Sequence, residues 1–136
     1  MHWLSHQLAT VAALSAEGPD PSVEADRRAH FLLSVSNLVE DLATRPGVSM
    51  VFASYEGLLV ARAPAGQDTS RFEAVAALSQ ACLEPASDSA AEIELGNLDQ
   101  LVLVGDQRKL ALIRVGPLTL GMVSPREVLL SEVTAN

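Results

Sequence analysis

The stretch RPGVSMVFASYEGLLVARA, residues 45–63, decides how the chain is organised. Residues 48–54 and 58–63 are apolar at nearly every position, so neither reads as a strand with one wet face. Strands of this composition are covered on both sides. Between them, Glu56-Gly57 predicts a two-residue hairpin turn. Glycine takes positive φ at little cost, and glutamate stands where Asn or Asp is commoner. Both faces of such a hairpin are expected to be covered by other parts of the protein.

Upstream, Leu4, Leu8, Val11 and Ser15 recur at helical spacing, with Trp3 and Leu14 beside them, until Gly18-Pro19 stops the pattern. After the linker EGPDPS, Asp20 can cap a second helix whose first turn holds Pro21. Its apolar stripe is Phe31, Val35, Leu38 and Leu42, widened by Leu32 and Val39, and it ends before Pro46-Gly47. Downstream of the hairpin, Ser70 and Glu73 form a capping-box pattern for a third helix. That helix places Phe72, Val75, Ser79, Cys82 and Leu83 on one side and Ala74, Ala77, Leu78 and Ala81 on another. Pro85 must end or kink it, and the permissive sequence beyond predicts a kinked helix reaching about Glu92.

Strand-like segments then cover residues 98–104, 110–115 and 118–123, separated by Gly105-Asp106-Gln107 and Gly116-Pro117. No connection is long enough for a crossover helix, so these strands are expected to be consecutive and antiparallel. Pro125 can open a last short helix with Val128, Leu129 and Val133 as apolar contacts. The expected class is α+β, a single five-stranded antiparallel sheet sandwiched between helices in the order α-α-β-β-α-β-β-β-α. Residues 1–18 form a leading helix and residues 20–134 one domain.

At 136 residues, the chain has the length of one domain, able to bury about two thirds of its unfolded surface. Hydrophobic residues make up 49% and charged residues 19%, more apolar side chain than a small monomer easily hides. Seventeen acidic against nine basic residues give a net charge of −8, and no stretch gathers Lys and Arg with aromatics, which argues against nucleic acid as a partner. Cys82 is the only cysteine, so no internal disulfide forms. No apolar run approaches the roughly 18–20 residues needed to cross a bilayer. The opening segment lacks Lys and Arg at its start and is interrupted by Ser5, His6 and Gln7, unlike a signal peptide, so a cytoplasmic location is expected.

Chemistry is sparse. His2 and His6 have the spacing of two metal ligands on one helix but no nearby third ligand, and His30 has no nucleophile positioned to use it. Cys82 lies in an alanine-rich helix without a CxxC pattern and reads as a small hydrophobe. Asp68, Glu73, Glu40 and Asp41 read as caps or surface charges. GDQRK, residues 105–109, lacks the second glycine and the Ser or Thr of a phosphate loop and joins two strands rather than a strand and a helix. No catalytic residue, cofactor or metal site is predicted.

A helix packed on its own sheet accounts for Phe72, Val75, Ser79 and Cys82 without a partner. It leaves over the surface of Ala74, Ala77, Leu78 and Ala81, which one sheet face cannot also cover. That surplus surface favours self-association.

Taken in order and spacing, several segments resemble the Roadblock/dynein light chain family over residues 20–134. They are Pro46-Gly47-Val48, the hairpin ASYEGLLVA (53–61), the alanine-rich helix, LGNLDQLVLVG (95–105) and LALIRVGPLTLGMV (110–123). Glu56 departs from the aspartate usual before the hairpin glycine, Pro85 interrupts the long helix, and the leading helix lies outside the common core. The resemblance implies a sheet with helices 23–43 and 126–133 on one face and the Ser70 helix on the other. It further implies a homodimer in which the long helices pack together and the strands at 98–104 pair across the axis. Leu98, Leu101 and Leu103 then join Ala74, Ala77, Leu78 and Ala81 in the dimer interface. By the same resemblance such dimers are platforms and regulators rather than catalysts, and bacterial members often act with Ras-like small GTPases. Eukaryotic relatives serve in dynein and lysosomal signalling complexes. The expected function is therefore a cytoplasmic dimer that binds a small GTPase and influences its nucleotide state or location. The alternative is a ligand-sensing or assembly-scaffold module without GTPase contact. Arg62, Arg108 and Arg126 are the arginines considered for a finger, and a surface role is favoured for each.

Overall fold

The computed structural model describes residues 2–13, 21–64, 69–128 and 133. In chain order the elements are α1 (His2–Ala13), α2 (Pro21–Ala43), β1 (Met50–Tyr55), β2 (Leu58–Ala63), α3 (Thr69–Glu92), β3 (Gln100–Val104), β4 (Arg108–Val115) and β5 (Leu118–Pro125). The strands form one five-stranded sheet in the order β2-β1-β5-β4-β3. Every neighbouring pair is antiparallel. The expected order of elements therefore holds through β5. Of the expected last helix, residues 129–132 lie outside the described residues, as do Leu14, Ser15, Asp20 and Asp68. α3 already begins at Thr69, which puts Ser70 inside its first turn rather than at the predicted cap.

Alternation along the strands sorts side chains into two cores. Val51 and Ala53 of β1, Ile113 of β4 and Leu118, Leu120 and Met122 of β5 meet Phe31, Val35, Val39 and Leu42 of α2 and Leu4, Leu8 and Val11 of α1. Val133 is buried in the same cluster, with Val128 packed beside it. On the opposite side Met50, Phe52 and Leu112 meet Phe72, Ala76 and Leu83 of α3. β1 is covered on both faces, as its continuous apolar run requires. β2 is an edge strand with Leu58 exposed, and a bulge at Ala53/Ser54 leaves Val60 as its extra residue.

Backbone conformation at the turns matches the residues there. Tyr55 pairs with Leu58, and both Glu56 (φ 51°) and Gly57 (φ 85°) are left-handed, the signature of a type I′ hairpin. The Glu56 amide donates to the Pro117 carbonyl at 2.9 Å, joining this turn to the Gly116-Pro117 turn between β4 and β5. Gly121 answers a different need. It is the cross-strand partner of Phe52, and a Cβ there would lie 2.2–2.9 Å from the Phe52 ring, so the ring lies across β5 where β5 has no side chain.

Candidate functional site: a partner-binding surface on α3 and β3

α3 is 24 residues long and carries two different faces. Phe72, Ala76, Ser79, Leu83 and Ala90 are buried. Ser79 can be buried because its hydroxyl donates to the Val75 carbonyl one turn back, at 2.7 Å. Away from this stripe Ala74, Leu78, Ala81 and Pro85 follow one another at steps of four, three and four, and all are exposed, as is Ala77. Leu78 is 61% exposed. The helix runs through Pro85 to Glu92. Proline removes the donor that would reach the Ala81 carbonyl, but both residues lie on the exposed side, where water can supply it.

The C-terminal half of α3 is held by Arg114 of β4, whose Nη2 donates to Ser87 Oγ at 3.1 Å and to the Leu98 carbonyl at 3.2 Å. The Arg114 amide donates to the Asp99 carbonyl at 2.8 Å, so one residue fixes both α3 and the approach to β3. α3 ends in a Schellman motif. The Leu95 amide donates to Ala90 O at 2.8 Å and the Glu94 amide to Ala91 O at 3.2 Å, with Glu94 left-handed at φ 64°. Flanking Glu94 in the cap, Ile93 and Leu95 are exposed large apolar residues.

β3 terminates the sheet on this side, with only β4 paired to it. Its sequence QLVLV contains neither charge nor proline, the devices that usually discourage edge pairing. Leu101 and Leu103 lie opposite Leu112 and Leu110 on the α3 side, and Val102 and Val104 opposite Ala111 and Lys109 on the other. Leu98 and Leu101 pack partly against the α3-side core. Leu103 is 39% and Val104 59% exposed. α3 packs chiefly over β2 and β1 and buries Leu112 of β4, leaving Leu101, Leu103 and Leu110 toward the β3 edge only partly covered beside the helix. The structure thus places Ala74, Ala77, Leu78 and Ala81 on an exposed helix face, and Leu98, Leu101 and Leu103 on a half-open edge.

Among the described residues, reactive groups do not converge. Among the described residues no three His, Cys, Asp or Glu side chains group as metal ligands. No described helix is long and apolar enough to cross a membrane. Cys82 is half-buried, and His6 and His30 are exposed. Arg62 lies over the Phe72 ring at 5.6 Å with its Nη1 buried and unpaired. Arg108 and Arg126 are exposed at the end of the sheet.

Against known proteins, the sequence matches the Roadblock/LC7 domain over residues 35–124. No curated protein matches it at a significant level. Among solved structures, Myxococcus xanthus MglB superposes with a TM-score of 0.64 at 18% identity, covering 73% of this chain and 81% of that one. A Roadblock/LC7 domain from Streptomyces avermitilis gives 0.65 at 19% identity, covering 72% and 83%. A structure described as MglB with tetrameric arrangement gives 0.62 at 14% identity, covering 76% and 77%.

Proposed function

Because the chain belongs to the Roadblock/LC7 family, we propose that it is a non-catalytic homodimeric regulator that binds a Ras-like small GTPase and modulates its nucleotide state or location. The observation that carries this reading is the surface on α3 and β3. An apolar helix stripe and an edge strand without charge or proline are costly in an isolated protomer and useful in an assembly. In this reading Ala74, Ala77, Leu78, Ala81, Leu98, Leu101 and Leu103 meet their counterparts in a second copy. The tetrameric arrangement described for a structural relative is consistent with self-assembly. The GTPase is the partner that the family resemblance implies, and a net charge of −8 would speed its encounter with a basic patch.

The test is affinity capture from the source cell's lysate, run in parallel with GDP and a non-hydrolysable GTP analogue and read by mass spectrometry. Enrichment of a small GTPase in one nucleotide state is the expected result. Recovery of other subunits with no GTPase in either state would replace the regulator with an assembly scaffold.

A further inference from the structure

The open edge of β3 offers a second copy a definite register. The Arg114 amide donates to Asp99 O and the Gly105 amide to Arg108 O, each at 2.8 Å, so at both ends of β3 the odd-numbered residues bond to β4. Alternation along the antiparallel ladder assigns Leu101 and Leu103 to β4 as well, and turns the backbone N–H and C=O of Gln100, Val102 and Val104 outward. A two-fold axis through Val102 pairs all of these, with Val102 facing its own counterpart and Gln100 facing Val104 of the other copy. Moving the axis to Leu101 leaves Val104 facing no residue of the other β3, and moving it to Leu103 does the same to Gln100.

Charge selects the same register. From residue 72 to residue 107 the sequence has no lysine or arginine; Glu92, Glu94 and Asp99 lead into β3, and Arg108 and Lys109 follow it. An antiparallel neighbour therefore sets the acidic entry of one β3 beside the basic exit of the other. With the axis at Val102, Asp99 faces Gly105 of the second copy, and Arg108 of that copy stands directly behind the glycine on β4, on the same face of the sheet. Two strand spacings put the two Cα atoms about 10 Å apart, and glycine leaves the space between them clear for carboxylate and guanidinium to meet. An axis at Leu101 would set the Asp99 carboxylate against Leu103 instead. Within the protomer the Asp99 and Arg108 side chains are exposed, and neither has an ion pair or hydrogen bond among the described residues. Asp106, in the turn beside Arg108, does not pair with it.

We propose that two copies of this chain join with Val102 on the two-fold axis, and that Asp99 of each pairs over Gly105 with Arg108 of the other. This reciprocal clamp rests on the homodimer proposed above and adds how the interface recognises a second copy. Exposed ion pairs add little affinity, whereas like charges at the same positions reject a wrong partner or a slipped register.

The experiment uses the full chain, with Arg108→Asp and Asp99→Arg made separately. Each variant alone brings like charges together at both symmetry-related contacts, and its homodimer should be about 10- to 30-fold weaker in sedimentation equilibrium at low salt. Mixed in equal amounts, the two variants regain opposite charges at both contacts, and a heterodimer should form with close to the wild-type dissociation constant. A variant weakened only by damage to its fold cannot be rescued in this way. Val102→Cys tests the register. Facing residues of a hydrogen-bonded pair have Cα atoms about 5.5 Å apart, so mild oxidation should yield an interprotomer disulfide absent from the wild type. A mixture with no preference for heterodimer over the parent homodimers overturns the clamp, and a Val102→Cys dimer that stays uncross-linked overturns the register. Both results leave a dimeric wild type standing. A wild type that is monomeric at every concentration overturns the homodimer and the clamp together.

Discussion

Leu78→Glu separates the two faces of α3. In the protomer this side chain is 61% exposed, and leucine and glutamate have similar helix propensities, so the fold should lose no more than about 0.5 kcal/mol. In the proposed dimer the same carboxylate is buried without a cation. Each copy then costs about 3 kcal/mol or more, and two-fold symmetry counts it twice. Roughly 6 kcal/mol corresponds to a dissociation constant about 10⁴-fold weaker. Light scattering at micromolar concentration should report one protomer's mass for the variant and two for the wild type. The variant's circular dichroism spectrum should stay native. Ala76→Glu is the control, because Ala76 is 3% exposed and faces the sheet, and this variant should not fold. A Leu78→Glu protein that keeps the wild-type mass, or a wild type that is already monomeric, refutes the assignment of this stripe to self-association.

Gly121→Ala should cost about 3 kcal/mol and lower the melting temperature by roughly 10 °C at fixed protein concentration, because its Cβ would meet the buried Phe52 ring at 2.2 Å. Phe52→Leu in the same chain should recover part of that loss, and a Gly121→Ala melt matching the wild type would mean the ring does not cross β5. Glu94→Gly should raise stability by about 0.5–1 kcal/mol in denaturant titration, since glycine fits the left-handed cap that Glu94 occupies at φ 64°. A destabilised Glu94→Gly variant would show that the glutamate side chain holds something at the cap.

The layers were legible because periodicity is local. Phe31, Val35 and Leu42 announced the buried stripe of α2, and Phe72, Ser79 and Leu83 that of α3, since spacing of three and four residues needs nothing beyond the helix itself. The Glu56-Gly57 turn was legible for the same reason, as two residues decide its backbone. What stayed hidden was long-range. Nothing near β1 predicts that it pairs with β5 and so places Gly121 under Phe52, although a glycine inside a strand is a known mark of close approach. The role of Arg114 could not be read from its neighbours in sequence, because Ser87 and the Leu98 carbonyl come to it only through the fold. α3 continues through Pro85 to Glu92, the end point expected from the helix-permissive sequence beyond the proline. The carbonyl that Pro85 leaves without its donor belongs to exposed Ala81, where water can reach it. For the surface residues the sequence could identify which side of α3 had no use in the core, but not what covers it.

The helix stripe and the strand edge are best understood as one surface. α3 stands over β2 and β1 and leaves the floor made by Leu101, Leu103 and Leu110 beside it. In the proposed dimer a second copy joins at β3 through a two-fold axis perpendicular to the sheet. That operation keeps both copies of α3 on the same side of the joined sheet, above a floor that neither helix covers alone. Ala74, Ala77 and Ala81 present almost no side-chain bulk, so two such helices can come close enough for Leu78 to lose its water. Strand pairing alone would satisfy the edge and leave the stripe wet, and helix packing alone would leave β3 open. Only the combined arrangement removes both liabilities, which is why a charge at Leu78 should dissociate copies that are also joined through β3.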